Sequence, residues 1–230
     1  STENSRVILG LTSLGYDVTD VGGHDLLQGL SDFTYVKKQG INGPIWALLA
    51  FDSNDYDIPE VADGGDQVTR EKLIEYILEK QLAGGGWALS GNNADPDMTG
   101  MAIQALAPYY DGNADVKAAV DKALGVLSSL QRDDGGFASW GSVNAESCAQ
   151  VIVALTSLGI NPDTDERFIK NGKSALDAML AFAADGGGFK YIANGPVNGM
   201  ATEQAYYALV SYYRFLDGKT PLYDMTDVNG

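Results

Sequence analysis

Residues 7–15 read VILGLTSLG and residues 151–159 read VIVALTSLG, identical at seven of nine positions across an offset of 144. An offset of roughly three times 48 marks a repeat array, in which each unit buries its apolar face only against its neighbours. Four polar residues set the period: Asn42, Asp95, Asn144 and Asn198, separated by 53, 49 and 54 residues. Each stands immediately before a segment rich in Ala, Leu and aromatics. An Asn or Asp there accepts hydrogen bonds from the free N–H groups of a first helical turn. Pro96 suits the first helical position after Asp95, where its missing N–H is not needed.

Between these marks the pattern is helical throughout. Helices are expected from His24 or Asp25 to about Gln39, over Ile45–Phe51, Val68–Leu82, Asp97–Tyr110, Ala114–Gln131 and Ala145–Leu158, from an Asp163 cap to about Ala184, and over Gly199–Leu216. The helices after Asn42, Asp95, Asn144 and Asn198 are nearly free of charge and are expected to be buried on most faces. Those at 68–82, 114–131 and 165–184 carry Lys and Glu along one face and are expected to lie outside. No stretch alternates convincingly with the two-residue period of a strand. Buried helices inside amphipathic ones make the expected fold all-α, an α/α toroid of repeated helix pairs. Ser1 aligns with Ala145, just inside a helix, so the toroid is expected to be incomplete at its N-terminus. The toroid is assigned to residues 1–220, and residues 221–230 to a C-terminal tail or linker to a further domain.

The turns between helices carry a second signature. Gln81-x4-Gly86-Trp87 and Gln131-x4-Gly136-Phe137 resemble the glutamine-aromatic repeats of the prenyltransferase and squalene-cyclase superfamily, and Gly187-Gly188-Phe189 matches the turn without its glutamine. The resemblance extends over nearly the whole chain. It implies the α/α toroid, which serves terpene cyclases, protein prenyltransferase β subunits and the helical domain of the cobalamin carriers transcobalamin and intrinsic factor. The chain also resembles bacterial surface proteins with prenyltransferase-like repeats. The helix pairs are fewer than in the closed rings of that superfamily, so the ring is either open or completed by further residues.

Composition narrows the function. Lys and Arg number 15 against 31 Asp and Glu, a net charge of −16. That field repels phosphate backbones and anionic lipid, which argues against nucleic-acid binding and membrane insertion and favours neutral or cationic ligands. Protein prenylation needs a zinc ion on Asp, Cys and His ligands. The single Cys148 and single His24 stand on different helices and form no such set, so no metal is assigned. Cys148 reads as a small buried residue without a histidine partner. Asp52-Ser-Asn54-Asp55-Tyr56-Asp57 has the oxygen density of a calcium loop but lacks its glycine and final glutamate. It reads as a solvated loop, with calcium the one cofactor it leaves open.

Two acid motifs bear comparison with the acid of alkene-protonating cyclases. Asp163-Thr-Asp165-Glu166 precedes an outer helix and reads as a capping pair. Asp95-Pro-Asp97 starts an inner helix, where the cavity of the resembled superfamily opens, so Asp95 and Asp97 are the candidate catalytic acids. For ligand binding the candidates are Asp97, Glu146 and Glu203 in first turns of inner helices, Tyr110 on an inner helix, and Trp140. The last lies beyond its turn and has no counterpart in the other repeats; Trp87, Phe137 and Phe189 read as core. The leading expectation is a non-enzymatic binding or interaction module of a secreted or cell-surface bacterial protein. Its ligand would be a corrinoid-like small molecule or a glycan, and its partners other domains of a longer chain. The alternatives are a terpene cyclase or lyase using the inner-helix acids, and a structural spacer.

Overall fold

The computed structural model describes residues 1–228, and these residues are all-α apart from one two-stranded hairpin. It divides into two compact units, residues 82–222 and residues 1–81 together with the segment from Tyr223.

In the first unit α1 (Thr2–Ser13) packs on α3 (Asn42–Asp52), which packs in turn on α4 (Arg70–Glu79). Eight of the eleven residues of α3 are buried, as its lack of charge implies. Asn42 is not a cap: it lies inside α3, whose N-cap is Ile41 without a capping side chain. The helix expected from residue 24 to 39 is broken into 3-10 turns at Leu27–Leu30 and Lys37–Gln39 around the single turn α2 (Phe33–Val36). Asp32 interrupts it, leaving helical geometry to accept the Thr34 N–H at 2.9 Å. Arg70 organises the acidic loop: it donates to Asp52 at 2.7 Å and to the carbonyls of Phe51 and Tyr56. The C-terminal segment belongs here, with Tyr223 edge-on to Trp46 and the Met225 N–H donating to the Ser53 carbonyl.

The second unit contains α5 (Pro96–Leu106), α6 (Ala114–Leu130), β1 (Ala138–Ser139), β2 (Ser142–Val143), α7 (Ala145–Ser157), α8 (Ala175–Leu180) and α9 (Gly199–Leu216). The uncharged helices α5, α7 and α9 pack side by side, with α7 in the middle and buried along eleven of its thirteen residues. Gly100 permits the close approach of α5 to α7, since a Cβ there would lie 2.9 Å from the Gln150 carbonyl oxygen. A buried polar seam joins the three helices: Gln104 donates to Gln150, which donates to Gln204 and Tyr207, and Thr156 bonds Ser211. On the outer side α6 packs on α5 and α8 on α7. Where a helix from 163 to 184 was expected, α8 is six residues long. Its cap is Ser174 in a reciprocal capping box with Asp177, while Asp163 accepts from the Ser174 hydroxyl and Asp165 caps only a 3-10 turn at Glu166–Phe168. Nor is α9 covered on most faces. Only Ala201, Ala205, Ala208 and Ser211 are buried, and Met200, Tyr206, Val210, Tyr213 and Leu216 form an exposed apolar stripe.

One turn is built three times. The N–H of Leu82, Arg132 and Ala184 donates to the carbonyl of Gly86, Gly136 and Gly188 at 2.9–3.0 Å. The aromatic that follows, Trp87, Phe137 or Phe189, is buried, a gain of roughly 1.5–3 kcal/mol for each such side chain. Its carbonyl accepts the N–H of the next cap, Asp95, Asn144 or Asn198, at 2.9, 3.2 and 2.9 Å. Each cap side chain in turn accepts first-turn N–H groups of its helix. Four residues beyond the cap stand Thr99, Cys148 and Thr202. Thr99 and Thr202 each accept the N–H of their turn aromatic at 2.9 Å and donate back to its carbonyl. The Cys148 thiol occupies the same position against the Phe137 backbone. Glycine is required where the turn meets this position, because a Cβ on Gly86 (φ 70°) would lie 2.9 Å from the Thr99 hydroxyl oxygen.

Thr99→Val keeps the shape but removes the acceptor of a fully buried N–H. Urea denaturation is expected to show a loss of about 1–3 kcal/mol, whereas Cys148→Ser, which keeps a polar hydrogen in the slot, is expected to stay within about 1 kcal/mol of the parent.

Candidate functional site

The repeated turns deliver their loops to the N-terminal ends of α5, α7 and α9, and Asp95, Asp97 and Glu146 stand at the first two of these ends. Asp95 caps α5 through Oδ1, which accepts from the N–H groups of Asp97 and Met98. Its Oδ2 accepts from the Ser139 hydroxyl at 2.5 Å, so the β1–β2 loop is fastened to the neighbouring repeat's cap. One repeat further on, the Tyr191 carbonyl accepts the Ala145 N–H at the start of α7.

Asp97 lies in the first turn of α5 and is pushed up to about 7 from the usual carboxylate value of 3.8. Burial is the main cause, the Ser147 hydroxyl beside it acts in the opposite direction, and the charges of Asp95 and Glu146 add to the rise. Asp97 Oδ1 and Ser147 Oγ are both buried, and the Ser147 hydroxyl, a donor as well as an acceptor, is the neighbour that can supply a hydrogen to the carboxyl. Burial also raises Glu146, and Tyr191 is raised by burial and by the charges of Glu146, Asp97 and Asp95. Among the described residues, no cation contributes to the shifts of Asp97, Glu146 or Tyr191. Burial holds the Cys148 thiol at about 12, so it is not a nucleophile near neutral pH.

Trp140 stands at the tip of the β1–β2 hairpin, 89% exposed. Trp140 and Gly141 have φ of 55° and 90°, the left-handed pair that a two-residue hairpin turn of the I′ type requires. Asn or Asp commonly precedes the glycine in such a turn, so an indole there is held in an unfavourable backbone region with its apolar face in water. Its position is not without counterparts. Leu89 and Ile192, two and three residues past their own turn aromatics, are also exposed, at 58% and 38%.

The structure therefore gathers Asp95, Asp97 and Glu146 at one end of the unit and connects Trp140 to it through Ser139. Glu203 is exposed on α9. Tyr110 is elsewhere, beyond the far end of α5, where its hydroxyl lies 2.5 Å from Asp121 and accepts from Lys117 while the ammonium lies over its ring. Ser147, Ser139 and Tyr191 were not anticipated. Ser147 is three residues past a cap and Tyr191 two past a turn aromatic, spacings that could have singled them out. Also unforeseen is a concavity of about 690 Å³ in the first unit, bordered by Asn4, Gln28, Asp32, Tyr35 and Lys38. Among the described residues, no group of three or more His, Cys, Asp or Glu side chains could hold a metal ion, and no helix is long and apolar enough to cross a membrane.

No protein-family model matches the chain, and no curated protein sequence matches it. Among solved structures it is similar to the protein geranylgeranyltransferase-I of Candida albicans, determined as a complex with GGPP. The TM-score is 0.55 with 16% sequence identity, over 80% of this chain and 53% of that one. The chain thus spans about half the length of this neighbour, and the likeness is one of fold: a prenyltransferase-like arrangement of helices.

Because the folded-state value of Asp97 lies above that of the unfolded chain, its contribution is fully favourable below about pH 4 and is lost as pH rises through 7. Asp97→Asn, which imitates the neutral acid, is expected to leave stability nearly unchanged at pH 4. It is expected to raise stability by up to about 4 kcal/mol at pH 8, measured by urea denaturation at both values.

Proposed function

We propose that this chain is a non-enzymatic binding module of a secreted or cell-surface bacterial protein, taking a corrinoid-like small molecule or a glycan at the loop end of the 82–222 unit. Trp140 carries this reading. An indole exposed at the tip of a hairpin, in a backbone region that disfavours it, contributes little to packing. Strain kept at such a position is accounted for by recognition, and aromatic side chains on rigid turns are efficient contact surfaces. The Ser139–Asp95 bond fastens the hairpin to the neighbouring cap, and Leu89 and Ile192 are further exposed apolar residues in the loops of the adjacent repeats. The other domains of a longer chain are its natural partners.

A second reading, an enzyme of the terpene cyclase or lyase type, is favoured by Asp97 alone: a buried carboxyl still substantially protonated near neutral pH is a competent general acid. The polar setting of Asp95, Glu146, Ser147 and Tyr191 gives binding the stronger support.

Trp140→Ala is expected to leave the urea midpoint unchanged or slightly raised and to reduce glycan or corrinoid binding at least tenfold, read by tryptophan fluorescence and calorimetry. Conversion of an isoprenoid substrate by the parent protein, abolished by Asp97→Asn, would instead establish the enzyme.

A further inference from the structure

The concavity of about 690 Å³ in the first unit falls within the roughly 300–1,000 Å³ of small-molecule sites. Its walls are tied together by the protein itself. The Val68 N–H donates to the Ser31 carbonyl at 2.9 Å and the Phe33 N–H to the Asp66 carbonyl at 2.7 Å, which fastens the 59–68 loop to the segment around α2. Gln67 holds that loop from within, donating to the Pro59 carbonyl and accepting the Val61 N–H. The turn at the rim closes through the Gly65 N–H on the Ala62 carbonyl, and only glycine fits there, since a Cβ on Gly65 would lie 2.3 Å from Val61 Cγ2.

The side chains bordering this space are only half used. Asn4 donates through Nδ2 to the Leu26 carbonyl at 2.7 Å, Gln28 through Nε2 to the Glu60 carbonyl and the Ser31 hydroxyl, and Asp32 accepts the Thr34 N–H through Oδ1. Each group is thereby fixed by one atom. Among the described residues its other polar atom, Asn4 Oδ1, Gln28 Oε1 or Asp32 Oδ2, meets no donor. Beside these acceptors the half-exposed Tyr35 ring has the Lys38 ammonium 5.6 Å from its centre, and that ammonium pairs with no carboxylate among the described residues. A hydroxyl both donates and accepts, so a ligand with several hydroxyls serves the fixed acceptors and Lys38 alike. An anionic ligand would meet Lys38 but face the carboxylates of Asp32 and Asp63, which border the same space.

We infer that this concavity binds a neutral saccharide, whose hydroxyls donate to Asn4, Gln28 and Asp32 and accept from Lys38 while a C–H face of the sugar ring lies against Tyr35. The inference goes beyond the Trp140 reading and does not depend on it. Cellotriose, maltotriose and triacetylchitotriose are the probes, titrated into the full chain by NMR and calorimetry. At least one is expected to bind, with shifts centred on residues 28–38 and 59–68 and an affinity indifferent to salt, as befits an uncharged ligand. Tyr35→Ala is expected to lower that affinity about tenfold. Asp32→Asn, which keeps the Oδ1 acceptor of the turn but puts a donor in place of the other oxygen, is expected to lower it several-fold, as is Lys38→Ala. Tyr35 and Lys38 are exposed, so their substitution should leave the urea midpoint in place, and Trp140→Ala should leave the binding intact.

No binding of any of the three probes, or full affinity retained in both Tyr35→Ala and Asp32→Asn, overturns the proposal. A uronic acid trimer that binds more tightly than the neutral probes, in a salt-dependent way, overturns the assignment to a neutral ligand. Saccharide binding lost in Trp140→Ala but not in Tyr35→Ala sinks the concavity and leaves the Trp140 reading standing. The reverse pattern, with no ligand sensitive to Trp140→Ala, upholds the concavity and sinks that reading.

Discussion

The hydrogen bond from each cap N–H to the carbonyl of the turn aromatic before it is the constraint on which the second unit depends. It fixes both ends of a loop at once. The aromatic cannot leave the core without breaking it, and the helix cannot start elsewhere without losing its cap. The hydroxyl four residues into the helix makes the joint two-sided by serving the N–H and the carbonyl of the same aromatic. A buried backbone pair of this kind contributes only about 1 kcal/mol when made but costs more when broken, so its value lies in precluding other registers. Cys148 shows how much variation the joint accepts: a thiol is a weak donor and acceptor, yet it fits the same space as the threonine side chain.

This joint also explains the electrostatics of the acids. A carboxylate in the first turn of a helix normally gains about 0.3–1 kcal/mol from the macrodipole, which would lower the value for Asp97. The direction is upward because the carboxyl is buried, and burial outweighs the helix N-terminus. Asp95 is the cap instead, with backbone N–H groups on one oxygen and the Ser139 hydroxyl on the other. Two acids two residues apart thus have different surroundings. No symmetry of sequence separates them.

The sequence told most where one interaction decides the structure. Asp95, Asn144 and Asn198 were recognisable as caps because a short polar side chain before an apolar run has few other uses. Asn42 has the same surroundings in sequence but lies within α3. Its N-cap is Ile41, and the repeat there lacks the glycine-aromatic turn that sets a cap in place. The helices expected over 24–39 and 163–184 failed for a related reason. Helical periodicity in those stretches is real, but Asp32, Asp163 and Ser174 form local side-chain bonds that compete with helical ones. The acids of the site were legible as residue types at helix starts. The relation between Asp97 and Ser147 was not, because it depends on two helices whose separation is set by Gly100, and Tyr110 was misplaced by reading helix membership without helix direction.

The unequal spacing of the caps follows from the same joint. From turn aromatic to cap is eight residues in the Trp87–Asp95 loop, seven from Phe137 to Asn144 and nine from Phe189 to Asn198, yet the closing bond stays between 2.9 and 3.2 Å in all three. Only the ends are fixed, and the entropy of closing a loop changes little between seven and nine residues. The interior of each loop is therefore free to vary in length and side chain without disturbing the helices on which it stands. Leu89, Trp140 and Ile192 occupy this free interval, as do Ser139 and Tyr191, which reach across to the neighbouring repeat. A scaffold of this design separates stability from recognition: glycine, aromatic, hydroxyl and cap hold the repeat together. The residues between aromatic and cap, released from that duty, are where a binding surface can form.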